Sequence, residues 1–412
     1  MRLIYSNICH AVAIFSANIY FYLMQKVITT SKVPIKMWLD EFEDGAMQQA
    51  MNLANLPFIF RHLAIMPDAH QGYGMPIGAV MATKGVLVPN AVGVDIGCGM
   101  CAIKTSLESI EKKQLQQIAN KIKDTIPVGF KHRKKPQNEN LMPMGYHFEN
   151  MPVVQREYKS ALYQLGTLGG GNHFIEIQKG NDGFVWIMVH SGSRNIGKQV
   201  ATHYHKLAEK LNSKWFSVIE KSKQLAFLPA DKPEAMSYFD EMNYCIEFAY
   251  ANRLLMIEQI KACFDGVLSK TVEYDEPINI AHNYVRLENH FGSNVFVHRK
   301  GATSAMAGEK GIIPGSQGSK SYIVEGLGNP ESFMSCSHGA GRKLGRNQAQ
   351  KQLNLEQEID FMNKQGIIHQ MNSTKHLDEA ASAYKNIDLV MALQSDLVKI
   401  QVELKPLAVI KG

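Results

Sequence analysis

Five side chains of the kinds that bind metal ions lie in four short segments, each rich in glycine or placed directly after an apolar run. They are Asp95, Cys98, His173, His190 and His282. Glycine beside such residues permits close approach of the backbone to a ligand. One carboxylate, one thiol and three imidazoles are too many for a closed tetrahedral zinc site, but they suit two ions that share a bridging ligand. The spacing alone leaves open whether the five residues meet, because they are far apart in the chain.

A sixth candidate, His338, lies in the segment Ser335–Arg342 among serine and glycine residues, with no bulky neighbour in sequence to cover it. An accessible imidazole of this kind can act as a nucleophile or as an acid and base. A second glycine- and serine-rich segment, Pro314–Ser321, precedes it, and its serines are equally typical of an ordinary turn.

Two further features are typical of sites for anions. His190 follows an apolar run and is followed by small hydroxyl residues and by Arg194 at the start of a predicted helix, which is the arrangement of an anion site at the end of a sheet. The run Lys131–Lys135 is a basic loop that is either a solvated turn or a contact for a nucleic-acid backbone. The glycine run Gly169–Gly171 lacks the strand and spacing of a dinucleotide-binding fingerprint.

These residues must be positioned by alternating strands and helices. The patterns predict strands over 59–66, 86–94, 184–189, 295–298 and 321–324, and helices over 111–124, 197–211, 234–264 and 387–404. The sequence shows no repeat, low-complexity tract or long linker. We therefore expect one large α+β domain with a central metal-binding cleft.

Composition excludes several classes of protein. The 412 residues are 45% hydrophobic and 20% charged, which argues against disorder, a fibre or a coiled coil. A net charge of +6 permits a nucleic-acid partner without requiring one. Six scattered cysteines in a chain of this size favour a reducing, cytoplasmic setting over a disulfide framework.

The first 23 residues are apolar but interrupted by Ser6, Asn7 and His10, so neither a signal peptide nor a membrane span is well supported. We interpret residues 1–23 as a doubtful N-terminal extension and residues 24–412 as the catalytic domain.

Eight ordered motifs give the chain a clear resemblance. From about Val33 to Gly412 it resembles the RtcB family of GTP-dependent RNA ligases, in the strings MPDAHQGYGMPIGAV, GVDIGCGM, GTLGGGNHFIEI, VHSGSRNIG, AHNYV, the stretch from RKGATSAMAGEKGIIPGSQGSK to NPESF, CSHGAGR and AYKNIDLVMALQSDLV with a final KG. The chain departs from the family pattern at its first 23 residues, at Ala281 and Gln317, and in the short basic region Lys131–Lys135. These departures concern RNA preference more than chemistry.

The resemblance implies a role for each matching residue. It makes Asp95, Cys98, His173, His190 and His282 the ligands of two Mn²⁺ ions bridged by Cys98, and it makes His338 the residue that accepts GMP. The positions where the family binds GTP are Asn172, Phe174, Glu176, Asn283, Pro314, Gly315, Ser316, Gln317, Ser321, His338, Gly339, Ala340, Gly341, Tyr384 and Lys411. Arg194 and Arg342 are our own candidates for holding phosphates of the nucleotide or RNA.

The activity that this resemblance implies is the joining of RNA ends with a 2′,3′-cyclic phosphate or 3′-phosphate to RNA with a 5′-hydroxyl, in RNA repair or tRNA splicing. We expect tRNA or another cleaved RNA as substrate and a cytoplasmic monomer without a membrane partner, and the need for an accessory activating protein stays open. Two alternatives use the same residues: a two-metal phosphoesterase without a nucleotide, and a module that binds RNA ends without turnover. His338 separates them, because a hydrolase needs no extra accessible histidine and a binding module needs no metal ligands.

Overall fold

The computed structural model describes residues 24–411, in which two large β-sheets are flanked by helices and two further sheets have two strands each. The predicted N-terminal extension, residues 1–23, lies outside these residues. In chain order the strands are β1 (Lys26–Ile28), β2 (Ile35–Met37), β3 (Ile59–His70), β4 (Ile77–Thr83), β5 (Val86–Leu87), β6 (Gly99–Lys104), β7 (Phe174–Gly180), β8 (Val185–Ser191), β9 (Leu228–Pro229), β10 (Ile278–Ala281), β11 (Asn283–His290), β12 (Ser293–Lys300), β13 (Ala302–Ser304), β14 (Lys310–Ile313), β15 (Ser321–Gly326), β16 (Ser335–Ser337) and β17 (Val398–Lys411).

The α-helices of the described chain lie mostly between these strands. They are α1 (Asp44–Ala54), α2 (Lys112–Thr125), α3 (Pro152–Leu162), α4 (Arg194–Lys214), α5 (Pro233–Asp265), α6 (Arg346–Gln352), α7 (Leu355–Lys364) and α8 (Ile387–Ala392). Short 3₁₀ turns occupy Pro89–Ala91, Glu139–Leu141, Phe148–Asn150, Lys221–Lys223, Pro330–Ser332, Thr374–Glu379 and Ala381–Ala383.

The larger sheet has seven strands in the order β10-β6-β8-β7-β17-β15-β14 and is antiparallel throughout. One face packs on helices α2 and α5 through residues such as Cys101, Ile118 and Met256. Neighbouring positions on β6, Met100 and Ala102, belong to a separate apolar cluster. This alternation explains why β6 is almost entirely buried: both of its faces are covered.

The second sheet has six strands in the order β1-β2-β3-β4-β12-β11. Its one parallel pair is β2 with β3. Leu53 of α1 and Leu63 of β3 pack together in one apolar cluster, whereas Ala64 of β3 and Val324 of β15 share another. The smaller sheet therefore lies between α1 and the β14 and β15 end of the larger one.

Most of the predicted elements are confirmed. Helix α2 buries Leu115, Ile118, Ala119 and Ile122, which is the spacing of one helical face. The predictions over 197–211, 234–264, 59–66, 184–189, 295–298 and 321–324 fall on α4, α5, β3, β8, β12 and β15.

Two predictions were wrong. The helix over 387–404 ends at Ala392, and residues 398–411 form β17 instead. Val398, Ile400 and Val402 alternate with polar residues, and this period of two belongs to a strand. The strand over 86–94 ends at Leu87, because Pro89 begins a 3₁₀ turn.

The described part of the chain contains no helix that is both long enough and apolar enough to cross a bilayer.

Candidate metal centre and nucleotide site

Strand register brings four of the predicted metal ligands to one end of the larger sheet. Gly99, the first residue of β6, pairs with Ser191 of β8 and with Ala281 of β10. On the next pair of strands, Phe174 of β7 pairs with His190. Cys98, His173 and His282 are chain neighbours of these paired residues, so they lie at the same sheet end as His190.

Side-chain distances divide the ligands into two groups that share Cys98. One group is Cys98, His190 and His282, and the other is Asp95, Cys98 and His173, with the ligand atoms of each group within 4.8 Å of one another. The Sγ atom of Cys98 lies 3.4 Å from Nε2 of His173 and 3.3 Å from Nε2 of His190. The five predicted ligands therefore meet, and the thiol lies between the two groups.

The imidazoles are oriented through their other nitrogens. Nδ1 of His173 donates to the carbonyl oxygen of Leu168 at 2.9 Å, and Nδ1 of His190 donates to that of Asn172 at 3.0 Å. A backbone acceptor of this kind fixes the proton on Nδ1 and leaves the Nε2 lone pair free for a metal ion. Both Nε2 atoms point at the thiol, which is the orientation that metal coordination requires.

Two residues of α5 hold the ligand loops together. The side chain of Asn252 accepts from the amides of Gly166 and Thr167 and donates to the carbonyl of Gly192. The guanidinium of Arg253 donates to the carbonyls of Gly97 and Ser191. Both side chains are buried.

Gly99 is required by close approach of the strands. A Cβ atom at this position would lie 1.9 Å from the carbonyl oxygen of Ile280 on the neighbouring strand. No side chain fits there, so glycine lets β10 bring His282 against Cys98.

The electrostatics of the cluster also suit a cation. Burial raises the pKa of the Cys98 thiol well above its usual value, and burial lowers the pKa of His190 and His282. Burial also acts to raise the pKa of Asp95, but its contacts with His173 outweigh that effect and bring the pKa to about 2. Neutral imidazoles, an ionised carboxylate and a thiol that a divalent ion would deprotonate form a donor set that fits such an ion.

His338 is held by a carboxylate from a distant strand. Its Nδ1 lies 2.6 Å from Oδ2 of Asp68 on β3, which also accepts from the amides of His338 and Gly339 at 3.2 and 3.3 Å. Asp68 is fully buried and the His338 side chain is 15% exposed. The ring of His338 lies edge-on to that of His282, with centroids 4.9 Å apart. The predicted nucleophile is thus next to the metal ligands, and it is less accessible than its sequence neighbours suggest, because Asp68 and His282 lie against its ring.

The predicted nucleotide residues Glu176 and Lys411 lie on paired strands near a third polar group, Gln178. The Gln178 amide donates to Glu176 at 2.6 Å and to the hydroxyl of Ser321 at 3.1 Å. Burial raises the pKa of Glu176 to about 8, although the charge of Lys411 opposes this. Burial lowers the pKa of Lys411, against the charge of Glu379.

Glu379 contacts Lys411 and two further polar side chains, Arg342 and Tyr384. Its carboxylate lies 3.6 Å from Nζ of Lys411 and 3.1 Å from the guanidinium of Arg342. It also accepts a hydrogen bond from the hydroxyl of Tyr384. Arg342 also donates to the carbonyls of Leu344 and Asp378 and to the Tyr384 hydroxyl, so its donors are engaged within the protein.

The serine- and glycine-rich segment lies against the His338 segment. A Cβ on Gly339 would lie 3.2 Å from the carbonyl oxygen of Pro314. The turn is closed by bonds from the Gly315 amide to the hydroxyl of Ser321 and between the hydroxyls of Ser316 and Ser319. The amide of Gln317 donates to the carbonyl of Glu379 at 2.6 Å. The turn is therefore tied to the Glu379 group.

The remaining predicted nucleotide residues lie around the cluster. The side chain of Asn283 links the carbonyl of Asp95 to the amide of Gly301. The ring of Phe174 lies 5.4 Å from that of His190, centroid to centroid. Ala340 is buried in the apolar core, and Gly341 lies against the carbonyl of Asp68.

Arg194, proposed for phosphates, lies over the glycine run. Its Nε donates to the hydroxyl of Thr167 at 3.2 Å. Gly169 has a φ of +90°, and a Cβ there would lie 2.1 Å from the Arg194 guanidinium. Next to it, a Cβ on Gly171 would lie 2.9 Å from the guanidinium of Arg346. Two arginines thus lie on the loop that carries His173.

Sequence reasoning missed Asp68, Asn252 and Glu379. Asp68 lies in the motif MPDAHQGYGMPIGAV at the end of an apolar run, and a carboxylate in that position can indicate a functional residue. Asn252 is inside a long helix and Glu379 in a polar stretch, and neither pattern distinguishes them from surface residues.

Comparison with known proteins gives matches over most of the chain. Residues 49–412 match the family model described as "tRNA-splicing ligase RtcB". The chain is 40% identical to the RNA-splicing ligase RtcB of Escherichia coli K12, over 94% of this chain and 99% of that protein. It is 30% identical to the tRNA-splicing ligase RtcB of Thermococcus kodakarensis and 32% identical to that of Nanoarchaeum equitans, over at least 90% of this chain in both cases.

Proposed function

Because the chain belongs to the RtcB family, we propose that it is an RNA ligase that uses GTP and Mn²⁺ to join 3′-phosphate or 2′,3′-cyclic phosphate ends to 5′-hydroxyl ends. The family and the RNA-ligase names of its relatives give the reaction class. The arrangement around His338 supports the finer chemistry.

In the first chemical step we assign His338 as the nucleophile. Asp68 holds the Nδ1 proton of His338, so the lone pair is on Nε2. Nε2 attacks the α-phosphorus of GTP, a nitrogen–phosphorus bond forms, and the bond to the β-phosphate oxygen breaks to release pyrophosphate. The imidazole gains positive charge in this step, and the buried carboxylate of Asp68 stabilises it.

Two transfers complete the reaction. An oxygen of the RNA 3′-phosphate attacks the phosphorus on His338, which breaks the nitrogen–phosphorus bond and leaves GMP on the RNA end. The 5′-hydroxyl of the second RNA then attacks the RNA phosphorus, so that a phosphodiester forms and GMP leaves. A cyclic phosphate must first be opened by water.

The two groups that share Cys98 would hold the divalent ions, with Asp95 and His173 on one side and His190 and His282 on the other. When bound, such ions neutralise charge on phosphate oxygens and activate water for opening cyclic ends. His282, a member of one of the two groups, lies edge-on to the ring of His338.

Selection of the base is proposed to depend on Glu176 of β7, which is buried, and on Lys411 of β17, which is partly buried. An ionised Glu176 accepts two N–H groups from the edge of guanine, and the Lys411 ammonium can donate to a guanine carbonyl. Adenine presents an amino group where guanine has a carbonyl, so it offers no acceptor to Lys411 and leaves the buried carboxylate of Glu176 without the two N–H groups of guanine. We therefore infer that GTP is preferred over ATP.

The observation that carries the proposal is a histidine held by a buried carboxylate beside a candidate two-metal cluster. The test is to incubate the protein with Mn²⁺ and GTP radiolabelled at the α-phosphate. Acid-labile label on the protein is expected, and it is lost in His338→Ala. The exposed residue His132 provides the control, because His132→Ala leaves the cluster intact. Full labelling of His338→Ala rules out His338 as the nucleophile.

Cellular setting follows from the same chemistry. We propose a cytoplasmic setting with tRNA or another cleaved RNA as substrate, because the proposed reaction needs GTP and a reduced Cys98 thiol. The described cysteines are free.

A further inference from the structure

A basic groove lies beside the loop that carries His173, and an exposed phenylalanine directly precedes the first lysine of its basic run. The loop between α2 and α3 carries Lys131, Lys134 and Lys135, all exposed, and the groove that they line with Lys123 has a volume of about 580 Å³. Asp124 is the acidic residue that lines it. Within residues 24–411 none of these four lysines forms an ion pair. Their charge is therefore available to a partner.

Phe130 stands at the start of this basic run. Its side chain is fully exposed, with a relative accessibility of 103%. Phenylalanine is normally buried, and here it has a lysine on one side and a glycine, Gly129, on the other. An exposed ring among cations is the combination with which proteins stack and neutralise single-stranded nucleic acid.

The loop is fixed to the candidate metal centre by backbone contacts. The amide of Gly129 donates to the carbonyl of Gly169 at 2.8 Å, and the amide of Leu168 donates to the carbonyl of Pro127 at 2.9 Å. The same Leu168 provides the carbonyl that orients His173. One residue therefore joins the basic loop to a metal ligand.

Arg133 anchors the loop from within. Its backbone amide donates to the carbonyl of Tyr163, and its guanidinium donates to the carbonyls of Leu165 and Gly166 and to Gln259. Arg133 is thus used for structure, while its neighbours on both sides point to solvent. The loop is a fixed platform, which lowers the entropy cost of binding.

From this arrangement we propose that the 127–137 loop binds a single-stranded segment of the substrate RNA, with one base stacked on Phe130 and its phosphates on Lys131, Lys134 and Lys135. The inference rests on the proposed function for its substrate class. The hydrogen bond between Gly129 and Gly169, with Arg194 packed against Gly169, connects this loop to the loop that carries His173.

The first test measures binding of a short fluorescent single-stranded RNA with a 5′-hydroxyl, by anisotropy without GTP. Phe130→Ala is expected to weaken binding about tenfold, because stacking on an aromatic side chain contributes this much per base. The matched control is Phe216→Ala, since Phe216 is also exposed, at 91%, and follows Lys214 and Trp215 on another loop. Unchanged binding by Phe130→Ala overturns the stacking assignment.

The second test is the salt dependence of the same binding. In the double variant Lys134→Ala/Lys135→Ala the slope of log affinity against log salt is expected to become less negative by about 1.4, since each phosphate contact to a single strand contributes about −0.7. An unchanged slope shows that these lysines contact no phosphate and contradicts the proposal.

Cross-linking of the unaltered protein keeps the proposal falsifiable if a variant fails to fold. RNA carrying 4-thiouridine is irradiated with the protein, and a cross-linked peptide within residues 127–137 is expected; cross-links confined to other segments overturn the proposal. Self-labelling by GTP is measured on the same sample. Cross-links within residues 127–137 without self-labelling by GTP contradict the ligase mechanism alone. Self-labelling by GTP without cross-links in this loop contradicts the RNA-binding inference alone.

Discussion

Asp68 and His338 are 270 residues apart in the chain, and their side chains are joined by a 2.6 Å hydrogen bond. Burial acts to raise the pKa of Asp68, but the charge of His338 and its hydrogen bond outweigh that effect and hold the pKa below its usual value. Oδ1 of Asp68 is buried without a partner, so the carboxylate serves the His338 segment through Oδ2 alone.

We therefore predict that Asp68→Asn slows labelling of His338 by GTP on the order of hundredfold, because an amide stabilises the imidazolium far less than a carboxylate does. The rate of acid-labile labelling is the measurement. Asp182→Asn is the control, since Asp182 lies at the opposite end of β7 and β8 from the metal ligands. A labelling rate within twofold of the unaltered protein would show that Asp68 only supports the fold.

Cys98 is shared by both ligand groups, so its loss should affect two ions at once. In Cys98→Ser, a neutral hydroxyl replaces a thiolate, and we expect loss of Mn²⁺ binding and of labelling. Electron paramagnetic resonance of free Mn²⁺ measures the binding. Cys101→Ala is the matched control, since Cys101 faces the apolar core under α5. Undiminished labelling by Cys98→Ser would make Cys98 a core residue.

Zinc should inhibit the enzyme. Imidazole and thiolate ligands bind Zn²⁺ more tightly than Mn²⁺, and zinc prefers a closed tetrahedral geometry that denies positions to phosphate oxygens. We expect micromolar Zn²⁺ to stop ligation even with Mn²⁺ in excess. A ligation assay with Zn²⁺ titrated in is the measurement, and unaffected ligation contradicts the bridged two-metal site.

Glu176 should make GTP use depend on pH. Burial raises its pKa to about 8, so below that pH the free protein carries a neutral carboxyl that must release a proton before it can accept N–H groups from guanine. The KM for GTP is therefore expected to fall as pH rises from about 6 to about 8 and then to level off.

Glu176→Gln supplies the comparison for this profile. The variant should lose the pH dependence and the preference for GTP over ATP. This preference is expected to be about 2 to 5 kcal/mol, which is the cost of leaving a buried charge without its partner. Labelling rates with both nucleotides across the pH range decide the matter. Equal use of GTP and ATP by the unaltered protein would refute the role of Glu176.

Asn252 should matter for stability. Replacing it with leucine leaves the buried amides of Gly166 and Thr167 and the carbonyl of Gly192 without their partner. Each unpaired group costs about 1 to 3 kcal/mol, so Asn252→Leu is expected to lower the free energy of unfolding by several kcal/mol. Urea denaturation measures this, with the exposed helical residue Asn120 as the control in Asn120→Leu. Equal midpoints would contradict this role.

The residue types of the candidate site could be predicted from the sequence, but their arrangement in space could not. Cys98, His173 and His190 were recognisable by residue type and by glycine neighbours, and His282 by residue type and the apolar run before it. Strand register supplied the proximity that spacing left open. Asp68 could not be paired with His338 in advance, because such a contact is set by the packing of two sheets. Local patterns carry no record of it.

The fold likewise contains elements that local patterns predict and elements that they misassign. Helix α2 was predictable because its buried positions follow one period over its whole length. The segment 387–411 was misassigned because a short helix precedes a strand with a period of two, and a window across both averages the patterns.

The position of β17 has a consequence for the order in which the protein is assembled. This strand follows the other described elements in the chain, yet it lies in the middle of the larger sheet, between β7 and β15. The strands next to the metal ligands, β6, β7, β8 and β10, are on one side of it, and β14 and β15, which flank the serine-rich turn, are on the other. During synthesis the ribosome releases both halves before the strand that joins them. The two halves of the sheet are therefore joined only after residues 398–411 are released, and Lys411 is the last of the predicted site residues to reach its place.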